Sequence, residues 1–162
     1  MRIDRPELPE GYGVEDAGPY ISWDDVVGRL AAARNYWLST TWPDGRPHVV
    51  PRWGAWLDNA FWYDGSPETR HMRNLTVNSA CALHLESGDE VTIVDGTSIA
   101  SEPVTGDLGE RLSEEFGLKY APAYAPGPDS WSDGIAGGLR ILTPKKVIAW
   151  SDYPKGLTRF RF

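Results

Sequence analysis

Gly65-Ser66-Pro67-Glu68-Thr69-Arg70-His71-Met72-Arg73-Asn74-Leu75 is a helix start set inside a run, Asn35 to Gly96, that otherwise alternates strand and turn. Ser66 is suited to cap the helix, with Pro67 at its first position and Glu68 behind it, and the run continues to about Val77. A helix start carries unpaired N–H groups and the positive end of the backbone dipole, so an anion, phosphate above all, fits there. Arg70 and Arg73 are three residues apart, share a side and can reach the same anion, while Ser66 and Thr69 offer hydroxyls. The competing reading pairs Arg70, His71 and Arg73 with surface carboxylates, which this chain has in plenty. No GxGxxG or Walker sequence is present to support a nucleotide fold.

Outward from that helix the pattern is β. Tyr36-Trp37-Leu38-Ser39-Thr40-Thr41 is aromatic and β-branched, and Trp42-Pro43-Asp44-Gly45-Arg46-Pro47 is a turn. A second strand is expected from His48 to Leu57, then a tight Asp58-Asn59 turn and a return strand, Ala60-Phe61-Trp62-Tyr63. Gly54 and Pro51 inside that second strand mark a bulge or a close approach, either by a flat ligand ring or by the neighbouring strand. Ser79 to Glu86 and Glu90 to Ala100 form the next antiparallel pair. Helices are expected over Ser22 to Ala33, capped by Ser22, and over about Gly106 to Tyr120. Ala121 to Gly134 is a long Pro, Gly and Ala loop of the kind that serves as a lid or subunit contact. Leu139 to Leu142, Val147 to Trp150 and the alternating Leu157 to Phe162 complete the strands. Six or seven short strands with two or three helices point to a small closed or partly open barrel.

Composition sets outer limits. A chain of 162 residues fits one domain and buries roughly two-thirds of its unfolded surface. We expect residues 1–20 to be an N-terminal extension and 21–162 a single domain. Eight Trp suit a β-rich core, an interface or a stacking surface. The 16 Lys and Arg against 23 Asp and Glu give a net charge of -7, which argues against nucleic acid but allows a small anion in a local cationic pocket. Nothing reaches the stretch of about 18 apolar residues that a membrane span needs, and Met1 to Gly18 lacks an apolar leader core, so a cytoplasmic protein without membrane association is expected.

Cys81 is the lone cysteine, set in a strand core and read as inert. His84 falls on the opposite face of that strand. His48, at a strand start, is read as structural, and no His lies at metal-ligand spacing from Cys or carboxylate, so no metal site is expected.

The run Trp37-Leu38-Ser39-Thr40-Thr41-Trp42-Pro43-Asp44-Gly45-Arg46-Pro47-His48-Val49-Val50-Pro51, followed by Thr69 to Leu75, resembles the pyridoxamine 5'-phosphate oxidase-like split-barrel superfamily. The likeness extends from about Tyr36 to Gly96, with a weaker echo in Leu139 to Trp150 and Thr158 to Phe162. It implies a mainly β fold with flanking helices: a six-stranded antiparallel split β-barrel of Greek-key type, forming a homodimer. It also implies FMN or the deazaflavin coenzyme F-420, bound in two grooves at the subunit interface. In the family a Ser-Arg-Lys-like triplet holds the cofactor phosphate, and the matching triplet here is Thr69-Arg70-His71. The second strand, here Val49, Val50, Pro51, Arg52 and Trp53, lies along the ring, and Tyr63, Gly65 and Ser66 line the route to the phosphate.

His71 departs from the usual Lys. A neutral imidazole, titrating near about pH 6.5, leaves most of the attraction to Arg70 and Arg73. From the partner subunit, Trp131 either covers the cofactor or anchors its own loop, and Arg140 and Arg159 either reach the cofactor or make ordinary ion pairs. The ending Arg159-Phe160-Arg161-Phe162 lacks the Arg-Leu-x-Pro-like motif of the true pyridoxamine phosphate oxidases. The expected function is therefore hydride transfer between FMN or F-420 and a small conjugated substrate, with no side chain assigned an acid or base role. The negative net charge favours FMN, since the acidic tail of F-420 wants further cations, for which Arg46, Arg52 and Arg73 are available. Alternatives are a non-catalytic cofactor carrier or sensor, and a haem or tetrapyrrole binder using His48 or His71.

Overall fold

Ser22 opens the first helix as its sequence suggests: its Oγ accepts the Asp25 N–H at 3.0 Å, and α1 runs Trp23–Ala32. The computed structural model describes residues 1–13, 15–133 and 138–162, so Gly134, the last residue of the expected long loop, lies outside the described residues. The strands are β1 Arg2–Asp4, β2 Tyr36–Thr41, β3 Pro47–Arg52, β4 Ala55–Leu57, β5 Ala60–Tyr63, β6 Ala80–His84, β7 Val91–Ala100, β8 Arg140–Trp150 and β9 Thr158–Arg161. The other helices are α2, Arg70–Val77, and α3, Gly106–Tyr120.

All nine described strands belong to one antiparallel sheet, in the order β1-β9-β8-β7-β6-β2-β3, with β4 and β5 joined to β8 through β5. β8 is the hub: one edge pairs with β7 along its length, while the other pairs with β5 at Arg140 to Leu142 and with β9 at Lys146 to Ala149. Among the described residues no ladder joins β3 to β4 or to β1, so the barrel is split rather than closed.

The strand count exceeds the expected six, and two causes are local. First, the expected His48 to Leu57 strand breaks into β3 and β4. The Tyr120 hydroxyl bonds both the N–H and the C=O of Gly54 at 2.9 Å, which takes those groups out of any ladder. The close approach at Gly54 is made by the protein itself, since a Cβ there would stand 2.4 Å from Phe61 Cε2 and 2.5 Å from the Trp62 carbonyl. Second, Arg2 to Asp4 pairs with Arg159 to Arg161, giving structure to a segment read as an extension. Pro144, which separated two expected strands, instead sits within β8 opposite Gly96, beside a register shift that absorbs its missing N–H.

Asp58 and Asn59 both take positive φ, 54° and 59°, as a two-residue hairpin turn requires. Two apolar clusters hold the fold. One packs α1 and α2 against the sheet around Leu38, Phe61, Leu83, Val94, Leu142 and Phe160; the other packs α3 and Trp131 against Ala55, Trp62 and Leu139. No described helix is long and apolar enough to cross a membrane, and no described group of three or more His, Cys, Asp or Glu is placed to hold a metal.

Candidate functional site

The site forms where the ends of β3 and β5 and the starts of α2 and β8 converge. β3 alternates exposed and half-buried residues, so His48, Val50 and Arg52 share the inward face while Val49 and Pro51 look outward. Tyr63 at the end of β5 pairs in register with Arg140 at the start of β8, which brings both to the same end of the barrel.

α2 starts three residues later than its sequence suggests. Thr69, not Ser66, is the N-cap, because Ser66 turns back locally: its Oγ accepts the Glu68 N–H at 3.2 Å and its carbonyl accepts from the Thr69 hydroxyl at 2.9 Å. Pro67 therefore precedes the helix. No side chain caps α2, and its first turn holds no acid, so no side chain there offsets its leading N–H groups and positive dipole end.

Around that start lie basic groups. His71 is 3% exposed, and its ring stacks on His48 with centroids 6.4 Å apart and planes 6° from parallel. Burial depresses its pKa to about 4, helped by the positive fields of Arg52, His48 and Arg140, so it is neutral at pH 7. The charged groups acting on it are all basic, and the Thr69 hydroxyl lies 3.4 Å from its Nε2. The Arg70 guanidinium lies 3.9 Å over the Trp42 ring, and Trp42 meets His48 edge-on at 6.4 Å. Arg73 forms an exposed ion pair with Glu68.

Arg52 is half-buried, bonds the Asp64 carbonyl through Nη2, and keeps a buried Nε with no hydrogen-bond partner. Burial lowers its pKa, partly offset by Tyr63 and Asp64. It lines a groove of about 360 Å³ with Pro51, Trp53, Asp64, Gly65 and Tyr124. Trp53, 39% exposed, stacks on Tyr120 at 4.7 Å and 14°. A half-exposed indole fixed in orientation at the groove rim is a platform for a flat ring. The buried nucleophiles are quiet: burial pushes the Tyr63 hydroxyl and the Cys81 thiol each up to about 12.

No family model and no curated protein matches the sequence. Solved structures do match. A haem-binding protein from Mycobacterium smegmatis superposes with a TM-score of 0.65 at 17% identity, over 88% of this chain and 59% of that longer one. An F420 reductase gives 0.53 at 19% identity, covering 86% of this chain and 98% of its own. A candidate pyridoxamine 5'-phosphate oxidase from Listeria innocua gives 0.57 at 12% identity, over 80% and 98%. The fold is that of the pyridoxamine 5'-phosphate oxidase-like split barrels. At such identities the likeness is one of architecture, and the split barrel's own side chains have to carry any functional reading.

Within this split barrel, Arg52, Trp53 and Gly65 line one groove, Arg52 lies over Tyr63, and Thr69, Arg70 and His71 open α2, with Arg70 over Trp42. Val49 is 50% exposed on the outer face of β3, and Ser66 is exposed. Trp131 is 1% exposed and donates Nε1–H to Asp64 Oδ2 at 2.9 Å, so of its two readings the structure has the loop anchor. Arg159 pairs with Asp4 at 2.6 Å beside the β1–β9 ladder. Arg140 acts on His71 of its own chain and needs no second subunit to reach this cluster. His48 stacks on His71; the period-two alternation of β3 puts it on the same face as Arg52.

Proposed function

We propose that this split barrel is an oxidoreductase that moves hydride between a flavin-type cofactor, FMN or alternatively F-420, and a small conjugated substrate. The observation that supports it is the basic group Arg70, His71, His48, Arg52 and Arg140 near a helix start with no side-chain cap and no acid in its first turn, beside a groove rimmed by Trp53. The buried, partnerless Arg52 Nε fits an anionic or carbonyl acceptor, because an unmet buried donor is costly until something bonds it.

When bound, such a cofactor supplies the hydride chemistry. The chain's residues bind and orient. Arg70 and the first N–H groups of α2 hold the phosphate, Thr69 borders it, and Trp53 and Pro51 flank the ring. Neutral His71 contributes a ring nitrogen rather than a full charge. The raised pKa of Cys81 and Tyr63 keeps both protonated, so neither competes as a nucleophile. A homodimer with the grooves at its interface belongs to the same proposal.

Titration with FMN and with F-420, followed by tryptophan fluorescence quenching, tests it. Saturable binding of one cofactor is expected, and binding of neither overturns the reading. Reoxidation of the bound, reduced cofactor by added acceptors faster than that of free cofactor separates an enzyme from a carrier. A Soret band on adding haemin, with no flavin binding, points to tetrapyrrole binding instead.

A further inference from the structure

On the other side of Gly65 from the Trp53 groove lies a second one, of about 330 Å³, lined by Pro67, Met72, Thr76, Leu139 and Arg140 with Gly65 and the end of β7. It is a built feature. Gly138, at φ 82°, packs so closely on Gly65 that a Cβ there would stand 2.2 Å from the Gly65 carbonyl oxygen, which fixes the wall between the two grooves. Ser101 N–H bonds the Leu139 carbonyl at 3.0 Å and ties the floor to β7.

The chemistry is uneven. The lining is mostly apolar, yet it contains Arg140, which is only 9% exposed. Ser98 holds that guanidinium, Nε to Oγ at 3.3 Å and Nη2 to the carbonyl at 2.8 Å, and the Tyr63 hydroxyl lies beside it. Among the described residues no carboxylate pairs with Arg140, and its Nη1 makes no hydrogen bond. A buried cation is retained at a cost unless an anion completes it. The volume is near the lower end of small-molecule sites, about 300–1,000 Å³.

We propose that this groove binds a small, mainly apolar molecule carrying one carboxylate, whose anion meets Arg140 while its body lies on Pro67, Met72 and Leu139. A monoanion suits the site because two of the three guanidinium nitrogens are already committed to Ser98. A dianionic phosphate finds more donors at the start of α2. The inference rests on the cofactor reading only where it names this molecule as the substrate class; the groove itself needs no cofactor.

The test is isothermal titration of the full chain, without added cofactor, using benzoate as the probe and benzyl alcohol as its uncharged counterpart. Benzoate is expected to bind at least tenfold more tightly. Arg140→Met should abolish that preference. Thr76→Phe, at an exposed position on α2, should weaken benzoate at least tenfold by filling the groove, while FMN affinity stays as in the parent. Equal affinity for the two probes, no benzoate binding, or benzoate affinity unchanged in both variants overturns the proposal. Benzoate binding with no binding of FMN or F-420 overturns the cofactor reading alone.

Discussion

Trp131 donates its indole N–H to Asp64 Oδ2 at 2.9 Å, the same carboxylate oxygen that accepts the Tyr124 hydroxyl at 2.5 Å. One oxygen thus fastens the segment beyond α3 to the end of β5, next to the carbonyl that Arg52 uses. Trp131→Phe keeps most of the ring's packing and deletes the donor. It should cost about 1–3 kcal/mol in urea unfolding and expose residues 121–133 to earlier proteolytic nicking. Unchanged stability and nicking would show that the bond does not hold the segment.

His71 makes stability pH dependent. Its folded pKa, about 4, lies below its ordinary value of 6.5, so between those values the unfolded chain binds more protons and stability falls as pH drops. The contribution is fully present above about pH 6.5 and is lost progressively toward pH 4, on the order of 3 kcal/mol in all. Denaturant midpoints at pH 7, 6, 5 and 4 should therefore decline more steeply in the parent than in His71→Gln, and parallel declines would count against the buried neutral imidazole.

Arg70 and Arg73 should separate in a cofactor titration. Arg70 lies over Trp42 beside the helix start, whereas Arg73 is spent on Glu68 at the surface. Arg70→Ala should weaken FMN binding by about 1.5–3 kcal/mol, the usual worth of a hydrogen bond to a charged group. Arg73→Ala should change it by less than about 1 kcal/mol. Equal losses in the two variants would mean that both guanidinium groups meet the anion.

Gly54→Ala places a methyl group where the Phe61 ring edge and the Trp62 carbonyl already stand. The ring can shift slightly, but the backbone carbonyl is fixed in the β4–β5 hairpin. Thermal unfolding should show a loss of about 1–3 kcal/mol, with Tyr120 less protected because its hydroxyl bonds both polar groups of Gly54.

Local signals were legible where one residue decides the conformation. The Ser22 cap, the Asp58-Asn59 turn and the bounds of α3 follow from cap chemistry, positive φ and amphipathic spacing, none of which needs a distant partner. The break at Gly54 was visible as an anomaly in the strand, but its cause, Tyr120, lies 66 residues away in α3. The site follows the same division. Arg70 and Thr69 could be placed at a helix start from their own neighbourhood. The grouping of His48, Arg52 and Arg140 around His71 depends on the β5–β8 register and on the path of the sheet from β8 through β7, β6 and β2 to β3, which no short window contains. Arg73 has a nearby carboxylate in Glu68, five residues away, and sequence spacing alone permits either that partner or an anion at the helix start.

The ladder between β1 and β9 has a consequence for how the chain reaches this state. Asp4 meets Arg159 across 155 residues, so the Arg2–Asp4 segment stays without a strand neighbour until nearly everything between has been arranged. Closing so large a loop is entropically expensive and slow relative to hairpins such as β4–β5. That seam is therefore expected to knit last during refolding and to be the first to open under mild denaturant.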